Sequence, residues 1–251
     1  MINRKNLNRN KKYYEKHGYA VYKKTIDVDT IKKIKIDLDK FLKVSLKKFK
    51  KHEVHLLKDK SINSLHNLKK WKWISKIQKE QNIKKIVNSI LGIKPRKFGA
   101  ELFAKPAMTG RDVPIHQDNY YWCTESGKGI TIWISLGKSN KKNGAVFYFL
   151  GSHKMGLLEH KISYKPGSSQ VLKNLDSLKF FKKITPNLNP GDCIVHNSLV
   201  VHGSNKNLSK ASRMGITLRY LPREEVFDLD RRKIYQKELK KSLKGLKNAR
   251  V

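Results

Sequence analysis

The segment PIHQDN at residues 114–119 places two potential metal ligands, His116 and Asp118, two positions apart. In a strand, side chains at this spacing lie on one face, because successive residues point to opposite faces. Gln117 would then point away from its two neighbours. We therefore expect His116 and Asp118 to bind one metal ion together, although a His-x-Asp motif alone also occurs by chance.

A distant histidine completes a known ligand set. His202 lies 86 residues after His116, at the end of an apolar run and next to Gly203. Two histidines and one carboxylate hold one face of a non-haem Fe(II) ion and leave the other face open for ligands and O2. His196 lies six residues earlier and is an alternative to His202, but we expect it to pack or hydrogen-bond near the site.

An arginine that could bind a carboxylate follows the three candidate ligands in the sequence. Arg213 lies 11 residues after His202, at the start of a strand-like segment. A guanidinium group binds a carboxylate through two parallel hydrogen bonds, as a dicarboxylic cosubstrate would require. Arg219 lies on the same face of the same segment and is the alternative. We favour Arg213 because it is nearer the start of the strand.

The sequence around these residues is typical of β-structure. From residue 97 onward, short segments rich in β-branched and aromatic residues alternate with Gly, Asn, Ser or Pro. Such a pattern predicts a sandwich or a barrel. The predicted strands are 98–105, 112–117, 129–137, 144–150, 168–172, 191–196, 199–203 and 212–221.

The first hundred residues favour helices instead. A short helix beginning near Tyr13 should end at Gly18, and a strand should follow. Asp27 or Asp29 can cap a second helix, which we expect to continue to about residue 51. Residues 52–70 are polar and loop-like, and a further helix is predicted from about residue 75 to residue 91. We expect basic tails at about 1–12 and 228–251, the second one helical.

Length and composition narrow the possibilities. The 251 residues are enough for one domain, 1–251, with a real core. We expect no transmembrane helix, because there is no stretch of 18 apolar residues, and no secretory signal. The two cysteines, Cys123 and Cys193, lack a CxxC spacing, so we expect unpaired thiols and a cytoplasmic location.

The formal net charge of +36 suggests an anionic partner. However, the charge comes from 46 lysines and only 10 arginines, and it is spread along the chain. A nucleic-acid reader more often presents arginines and aromatic stacking platforms. We therefore expect a solvated basic surface and no nucleic-acid substrate, while attraction to nucleotides, acyl thioesters or membranes stays an alternative.

Four ordered segments resemble the phytanoyl-CoA dioxygenase family of Fe(II)/2-oxoglutarate oxygenases. Together they extend over most of residues 13–221. They read YYEKHGYAVYKKTID, FAKPAMTGRDVPIHQDNYYW, ITIWISLGKSNKKNGAVFYFLGSHKMG and NPGDCIVHNSLVVHGSNKNLSKASRMGITLRYLP.

This resemblance implies a fold and an activity. The fold would be mainly β with flanking α-helices, a double-stranded β-helix (jelly roll, cupin-like). The activity would be hydroxylation of a small organic substrate, possibly anionic or thioester-linked, with Fe(II) as cofactor and 2-oxoglutarate and O2 as cosubstrates. A non-catalytic cupin-like binding protein and an oxygenase that acts on nucleic acid are the alternatives.

The resemblance also implies roles for individual residues. The implied iron ligands are His116, Asp118 and His202, and the implied cosubstrate contacts are Arg213, Ser204, Trp133 and, more loosely, Lys105 and Glu101. Halogenating relatives lack the carboxylate ligand, so Asp118 indicates hydroxylation. Tyr120, Tyr121 and Trp122 follow shortly after Asp118, and we expect them to shape the substrate pocket.

Overall fold

The computed structural model describes residues 2–92 and 94–248, in which helices come first and strands follow. The helices are α1 (Arg4–His17), α2 (Val28–Ser45), α3 (Trp73–Lys79), α4 (Gln81–Leu91), α5 (Asp118–Trp122) and α6 (Leu229–Asn248). The strands are β1 (Tyr19–Tyr22), β2 (Val54–Leu56), β3 (Ile62–Leu65), β4 (Arg96–Lys105), β5 (Val113–His116), β6 (Ile130–Ser135), β7 (Val146–Phe149), β8 (His160–Lys165), β9 (Ser168–Leu172), β10 (Lys183–Ile184), β11 (Cys193–Asn197), β12 (His202–Ser204) and β13 (Arg213–Leu221).

Three antiparallel sheets make up the β-structure. The large sheet has the strand order β1-β11-β6-β13-β4-β3-β2, a smaller one has the order β10-β7-β12-β5, and β8 pairs with β9 alone. This is the expected mainly-β, jelly-roll architecture with flanking helices.

The two faces of the large sheet have different roles because side chains alternate along each strand. On β13, Ile216 and Leu218 face a core that also contains Ile31 and Leu38 of α2 and Ile86 of α4, all at most 2% exposed. The helices therefore cover this outer face. The opposite face carries polar residues toward the small sheet, and a cavity lies between them.

All eight predicted strands are present, with shifted ends. The largest shift is at 199–203, where β12 begins only at His202. Four strands were not predicted, namely β2, β3, β8 and β10. Residues 54–65 were expected to be a loop, but there β2 and β3 form a hairpin that extends the large sheet by pairing with β4.

The expectation of a frayed tail at residues 1–12 was wrong for the residues that the structure describes. Asn3 caps α1 by accepting a hydrogen bond from the Asn6 backbone N–H, so the helix starts at Arg4. Leu7 packs against the core, which fixes the helix on the domain. Gly18 ends it in a left-handed conformation, with φ of 81°, as predicted.

The other helix predictions hold in part. Asp27 caps α2 by accepting from the Thr30 N–H at 2.7 Å, as one of the two proposed caps. The helix predicted at 75–91 is two helices, α3 and α4, which meet at Glu80. Among the described residues, no helix is both long enough and apolar enough to span a membrane.

Candidate metal and cosubstrate site

Two neighbouring strands bring the metal-ligand candidates together. His116 ends β5 and His202 begins β12, and the two residues are direct partners in the antiparallel pair. Asp118 differs from the prediction, because the strand ends at His116 and Asp118 is the first residue of α5. The turn still brings its carboxylate to 3.6 Å from the Nε2 atom of each histidine.

The three side chains form a group that could hold a metal ion. Their ligand atoms all lie within 4.8 Å of one another. The Nδ1 atoms of His116 and His202 hydrogen-bond the backbone carbonyls of Pro114 and Val200, at 2.7 Å and 3.0 Å. This arrangement places the proton on Nδ1 and leaves the Nε2 lone pairs for a metal. The residues therefore fit a two-histidine, one-carboxylate iron site.

The carboxylate of Asp118 is oriented by its neighbours. Its Oδ2 atom accepts hydrogen bonds from the Thr131 hydroxyl at 2.7 Å and from His196 Nε2 at 3.1 Å. Burial opposes ionisation of Asp118, but the neighbouring side chains of His116 and His196 hold its pKa well below the usual range. Oδ1 is thus left facing the two histidine Nε2 atoms.

His196 supports the site and does not belong to the ligand group, as predicted. Its Nδ1 contacts the Tyr148 hydroxyl at 3.1 Å while its Nε2 contacts Asp118. Burial, followed by the charge of His116, lowers the pKa of His202 to about 3, so this ring is neutral at pH 7. Gln117 points away, with its amide nitrogen donating to the Leu199 carbonyl at 2.6 Å.

Arg213 is a buried cation at the cavity. It is 3% exposed, its Nη1 donates to the Gly144 carbonyl at 2.7 Å, and its Nε has no hydrogen-bond partner among the described residues. Within the described residues, no carboxylate forms an ion pair with it. Burial lowers its pKa to about 10, which leaves it charged at neutral pH. An unpaired buried charge is costly, so this position is suited to an anionic ligand.

Trp133 completes the surroundings of Arg213. The guanidinium carbon lies 4.9 Å from the centre of the indole ring, a cation–π distance. Gly215 makes room for this ring, because a Cβ atom there would lie 2.1 Å from the indole. The aromatic residue predicted beside the cosubstrate thus lies against the predicted arginine.

Arg219 has a different environment. Its Nη2 lies 3.0 Å from Oε1 of Glu101, which also contacts His66 Nδ1 at 2.7 Å. Burial alone would raise the pKa of Glu101, but the charges of Arg219 and His66 lower it to about 2. Arg219 is therefore neutralised within the protein, which favours Arg213 over Arg219 as the carboxylate-binding residue.

The two remaining residues that were predicted to contact the cosubstrate, Ser204 and Lys105, differ in their position relative to the cavity. Ser204 is buried on β12 and lines the cavity. Lys105 is 2% exposed, but it does not line the cavity, and its ammonium group donates to the backbone carbonyls of Arg111 and Asn205. The structure therefore places Lys105 at the end of β4, beside the site and outside the cavity lining, and its cosubstrate contact stays a prediction.

The cavity has a volume of about 400 Å³. Of the three aromatic residues after Asp118, Tyr121 and Trp122 line it, while Tyr120 does not. Sequence reasoning missed His66 on the supposed loop and the cavity-lining residues of α6. The periodic apolar spacing of Tyr235 and Leu239 in the C-terminal segment could have indicated a packed helix.

Comparison with known proteins agrees with this geometry. The family model for phytanoyl-CoA dioxygenase (PhyH) matches residues 14–215. The chain belongs to the phytanoyl-CoA dioxygenase family. Phytanoyl-CoA dioxygenase 1 of Oryza sativa subsp. japonica is 29% identical over 130 residues, which cover 49% of this chain and 43% of the relative. The peroxisomal phytanoyl-CoA dioxygenase of Bos taurus is 23% identical over 228 residues, covering 84% of this chain and 67% of the relative.

Solved structures share the fold of this family member at low sequence identity. EctD from S. alaskensis with 2-oxoglutarate and 5-hydroxyectoine has a TM-score of 0.71 at 18% identity, covering 85% of this chain and 75% of that one. The α-ketoglutarate-dependent carbocyclase SnoK of nogalamycin biosynthesis has a TM-score of 0.71 at 16% identity, covering 87% and 85%. The chain spans less than half the length of its plant relatives.

Proposed function

We propose that this protein is an Fe(II)- and 2-oxoglutarate-dependent oxygenase that acts as a single domain and hydroxylates a small organic substrate. One observation carries the proposal: a two-histidine, one-carboxylate group shares a cavity with a buried arginine that forms no ion pair with a carboxylate of the described residues. The first feature suits iron, and the second suits the distal carboxylate of 2-oxoglutarate.

In this proposal, His116, Asp118 and His202 hold the iron. Bound Fe(II) and 2-oxoglutarate supply the oxidising chemistry, in which substrate C–H, O2 and 2-oxoglutarate yield C–OH, succinate and CO2. The protein orients the ligands: Thr131 and His196 fix Oδ2 of Asp118, so Oδ1 faces the site. The carboxylate ligand favours hydroxylation over halogenation.

The proposed cosubstrate contacts lie at one end of the cavity. Arg213 pairs with the distal carboxylate, and Trp133 holds the guanidinium group from one face. Ser204 hydrogen-bonds near this group from β12. Because these residues are at most 3% exposed, they exclude water and strengthen the ion pair.

The substrate class in this proposal is small and anionic, including thioester-linked compounds. The relatives' names include phytanoyl-CoA, a thioester. A surface cleft adjoins the cavity and shares Asp112, Lys165 and Pro166 with it. Lys165 is paired with Asp112, while Arg111 and Lys206 make the cleft basic. An anionic group could bind in this cleft while the reacting group enters the cavity.

We also propose a reducing compartment such as the cytoplasm. Cys123 and Cys193 are both buried free thiols, as expected for proteins of such compartments. Expression of a fluorescent fusion in the native host, followed by microscopy, tests this location.

An anaerobic titration tests the activity. Fe(II) plus 2-oxoglutarate should give the weak visible charge-transfer band of a chelated 2-oxo acid, and candidate substrates should then stimulate succinate formation in air. A band without any stimulated turnover across a broad panel would favour a non-catalytic binding protein. Stimulation by DNA or RNA that depends on Asp118 would favour the nucleic-acid oxygenase. Absence of the band would contradict the proposal.

A further inference from the structure

Helix α6 forms one wall of the cavity. Tyr235, Leu239, Ser242 and Leu243 all line it, at the i, i+4, i+7 and i+8 spacing of one helix face. The opposite face is solvated, with Ile234 56% exposed. The helix lies entirely beyond residues 14–215, the segment that the family model matches.

This wall lies close to the metal-ligand candidates. The ring of Tyr235 meets Tyr121 edge to face at 5.8 Å, and Tyr121 meets His116 in the same way at 5.5 Å. Tyr235 shares the cavity lining with Glu101 and Arg219. Tyr235 therefore forms a part of the wall that adjoins α5.

Hydrogen bonds hold α6 in this position. Glu238 Oε2 accepts from the Tyr120 hydroxyl and from the Gln170 amide nitrogen, both at 3.0 Å. One turn later, the buried hydroxyl of Ser242 donates to the Ser163 carbonyl at 2.7 Å. The helix is thus attached to α5 and to the β8–β9 pair, so its cavity-facing side chains have defined positions.

We propose that α6 selects the substrate, with Tyr235 and Leu239 as the specificity-determining side chains. The inference rests on the proposed function and adds the size and polarity of the enclosed group. A cavity of about 400 Å³ is near the lower end of small-molecule sites, and it must also hold 2-oxoglutarate. The enclosed part of the substrate is therefore a compact group with an apolar side against Leu239 and Leu243, and any larger part remains outside.

Thiol labelling of engineered cysteines tests this wall without knowledge of the substrate. Leu239→Cys places a thiol in the cavity, and Ile234→Cys is the matched control on the solvated face of α6. Both variants are labelled with methyl and with diphenylmethyl methanethiolsulfonate. The native Cys123 and Cys193 are at most 1% exposed, so the wild-type protein measures the background.

We expect the ratio of the methyl to the diphenylmethyl labelling rate to be at least tenfold higher at position 239 than at position 234. Adding Tyr235→Ala to Leu239→Cys should lower that ratio at least tenfold, because the phenol ring no longer limits the space. Equal ratios at the two positions would overturn the placement of α6. An unchanged ratio in the double variant would overturn the role of Tyr235.

A second readout connects the wall to the metal site. A benzyl group attached to Leu239→Cys should shift the visible band of the Fe(II)–2-oxoglutarate complex, and the same group on Ile234→Cys should leave it in place. If the unlabelled protein gives no band, the proposed function fails while the labelling ratios still decide the present inference. If the protein gives the visible band and no label at position 239 shifts it, this result would contradict the proposal that α6 forms the cavity wall that selects the substrate.

Discussion

Two arginines of one strand, Arg213 and Arg219, lie at opposite ends of the same cavity face and have opposite surroundings. Arg213 is buried and forms no ion pair with a carboxylate among the described residues. Arg219 is paired with Glu101 at 3.0 Å. Since a buried charge without a counterion is costly, the first end requires an external anion and the second does not. In our proposal, the cosubstrate therefore binds at the Arg213 end and the substrate at the Arg219 end.

The largest expected effect concerns the metal between these two ends. His202→Ala should abolish Fe(II)-dependent formation of the visible band, because it removes one of three ligands. His196→Ala is the matched control: it removes hydrogen bonds to Asp118 and Tyr148 but no proposed ligand, so iron affinity should fall about 10–100-fold while the band persists. A titration of both variants with Fe(II) under anaerobic conditions measures this. Band loss in His196→Ala alone would exchange the roles of the two histidines.

The next effect compares the arginines directly. Arg213→Lys keeps the charge but loses the paired donors, so 2-oxoglutarate affinity should fall about tenfold, and Arg213→Met should lower it about 100-fold or more. Arg219→Lys should change this affinity less than about threefold. Apparent affinity from succinate formation, with iron binding measured in parallel, checks the prediction. A larger loss in Arg219→Lys would reverse our assignment of the two ends.

Removing the counterion of Arg219 should leave this arginine, like Arg213, without a carboxylate partner. Glu101→Gln leaves this guanidinium group unpaired, and unfolding free energy at pH 7 should fall by about 2 kcal/mol. The pKa of Glu101 is lowered from 4.5 to about 2, so its contribution is present above about pH 4.5 and is lost as pH falls toward 2. Urea unfolding of the wild-type protein and of Glu101→Gln between pH 7 and pH 3 measures this. The difference between their unfolding free energies should become smaller at low pH. A difference that does not change with pH would mean that the ion pair of Glu101 and Arg219 does not stabilise the fold electrostatically.

Alanine substitutions at two glycines should change the surroundings of Arg213 and Arg219 with smaller effects. A Cβ atom at Gly215 would lie 2.1 Å from the Trp133 ring, whereas one at Gly99 would lie 2.5 Å from the end of the Arg219 side chain. Gly215→Ala should displace the indole that holds Arg213 and weaken 2-oxoglutarate binding about fivefold, with overpacking costing about 1–3 kcal/mol. Gly99→Ala should crowd the other end and leave this affinity unchanged. Equal losses in the two variants would show that crowding acts through the whole sheet.

The smallest expected effect concerns the basic surface, which we distinguish from the two arginines of the cavity. The charge outside is mostly lysine, and it can neutralise phosphates without reading bases. DNA binding should therefore be micromolar or weaker and should weaken steeply between about 50 and 200 mM salt. Added DNA should not stimulate succinate formation, which a turnover assay with and without DNA measures. Stimulation that is lost in Asp118→Ala would assign the cavity to nucleic acid.

The sequence predicted the centre of the molecule better than its edges. His116, Asp118 and His202 could be found because ligand chemistry restricts residue type and order, and the strands around them alternate clearly. The β2–β3 hairpin could not be recognised, since its strands at the sheet edge have only three and four residues and β3 pairs with β4, which lies far away in the sequence.

Prediction from the sequence was also limited for the two ends of the cavity. Periodicity placed Arg213 and Arg219 on one face, but it could not distinguish them, because the distinction depends on Glu101 from another strand. The role of α6 was also hidden. A highly charged segment resembles a solvated tail until the positions of Tyr235 and Leu239 against α5 are known.

The most direct test of the two-ended cavity compares 2-oxoglutarate with 2-oxobutyrate, which lacks the distal carboxylate. Both should be titrated anaerobically into the Fe(II) forms of the wild-type protein, Arg213→Met and Arg219→Met. We expect the wild-type protein and Arg219→Met to prefer 2-oxoglutarate about 100-fold, and this preference to fall to about threefold or less in Arg213→Met. A preference that survives in Arg213→Met, or that is lost in Arg219→Met instead, would contradict our account.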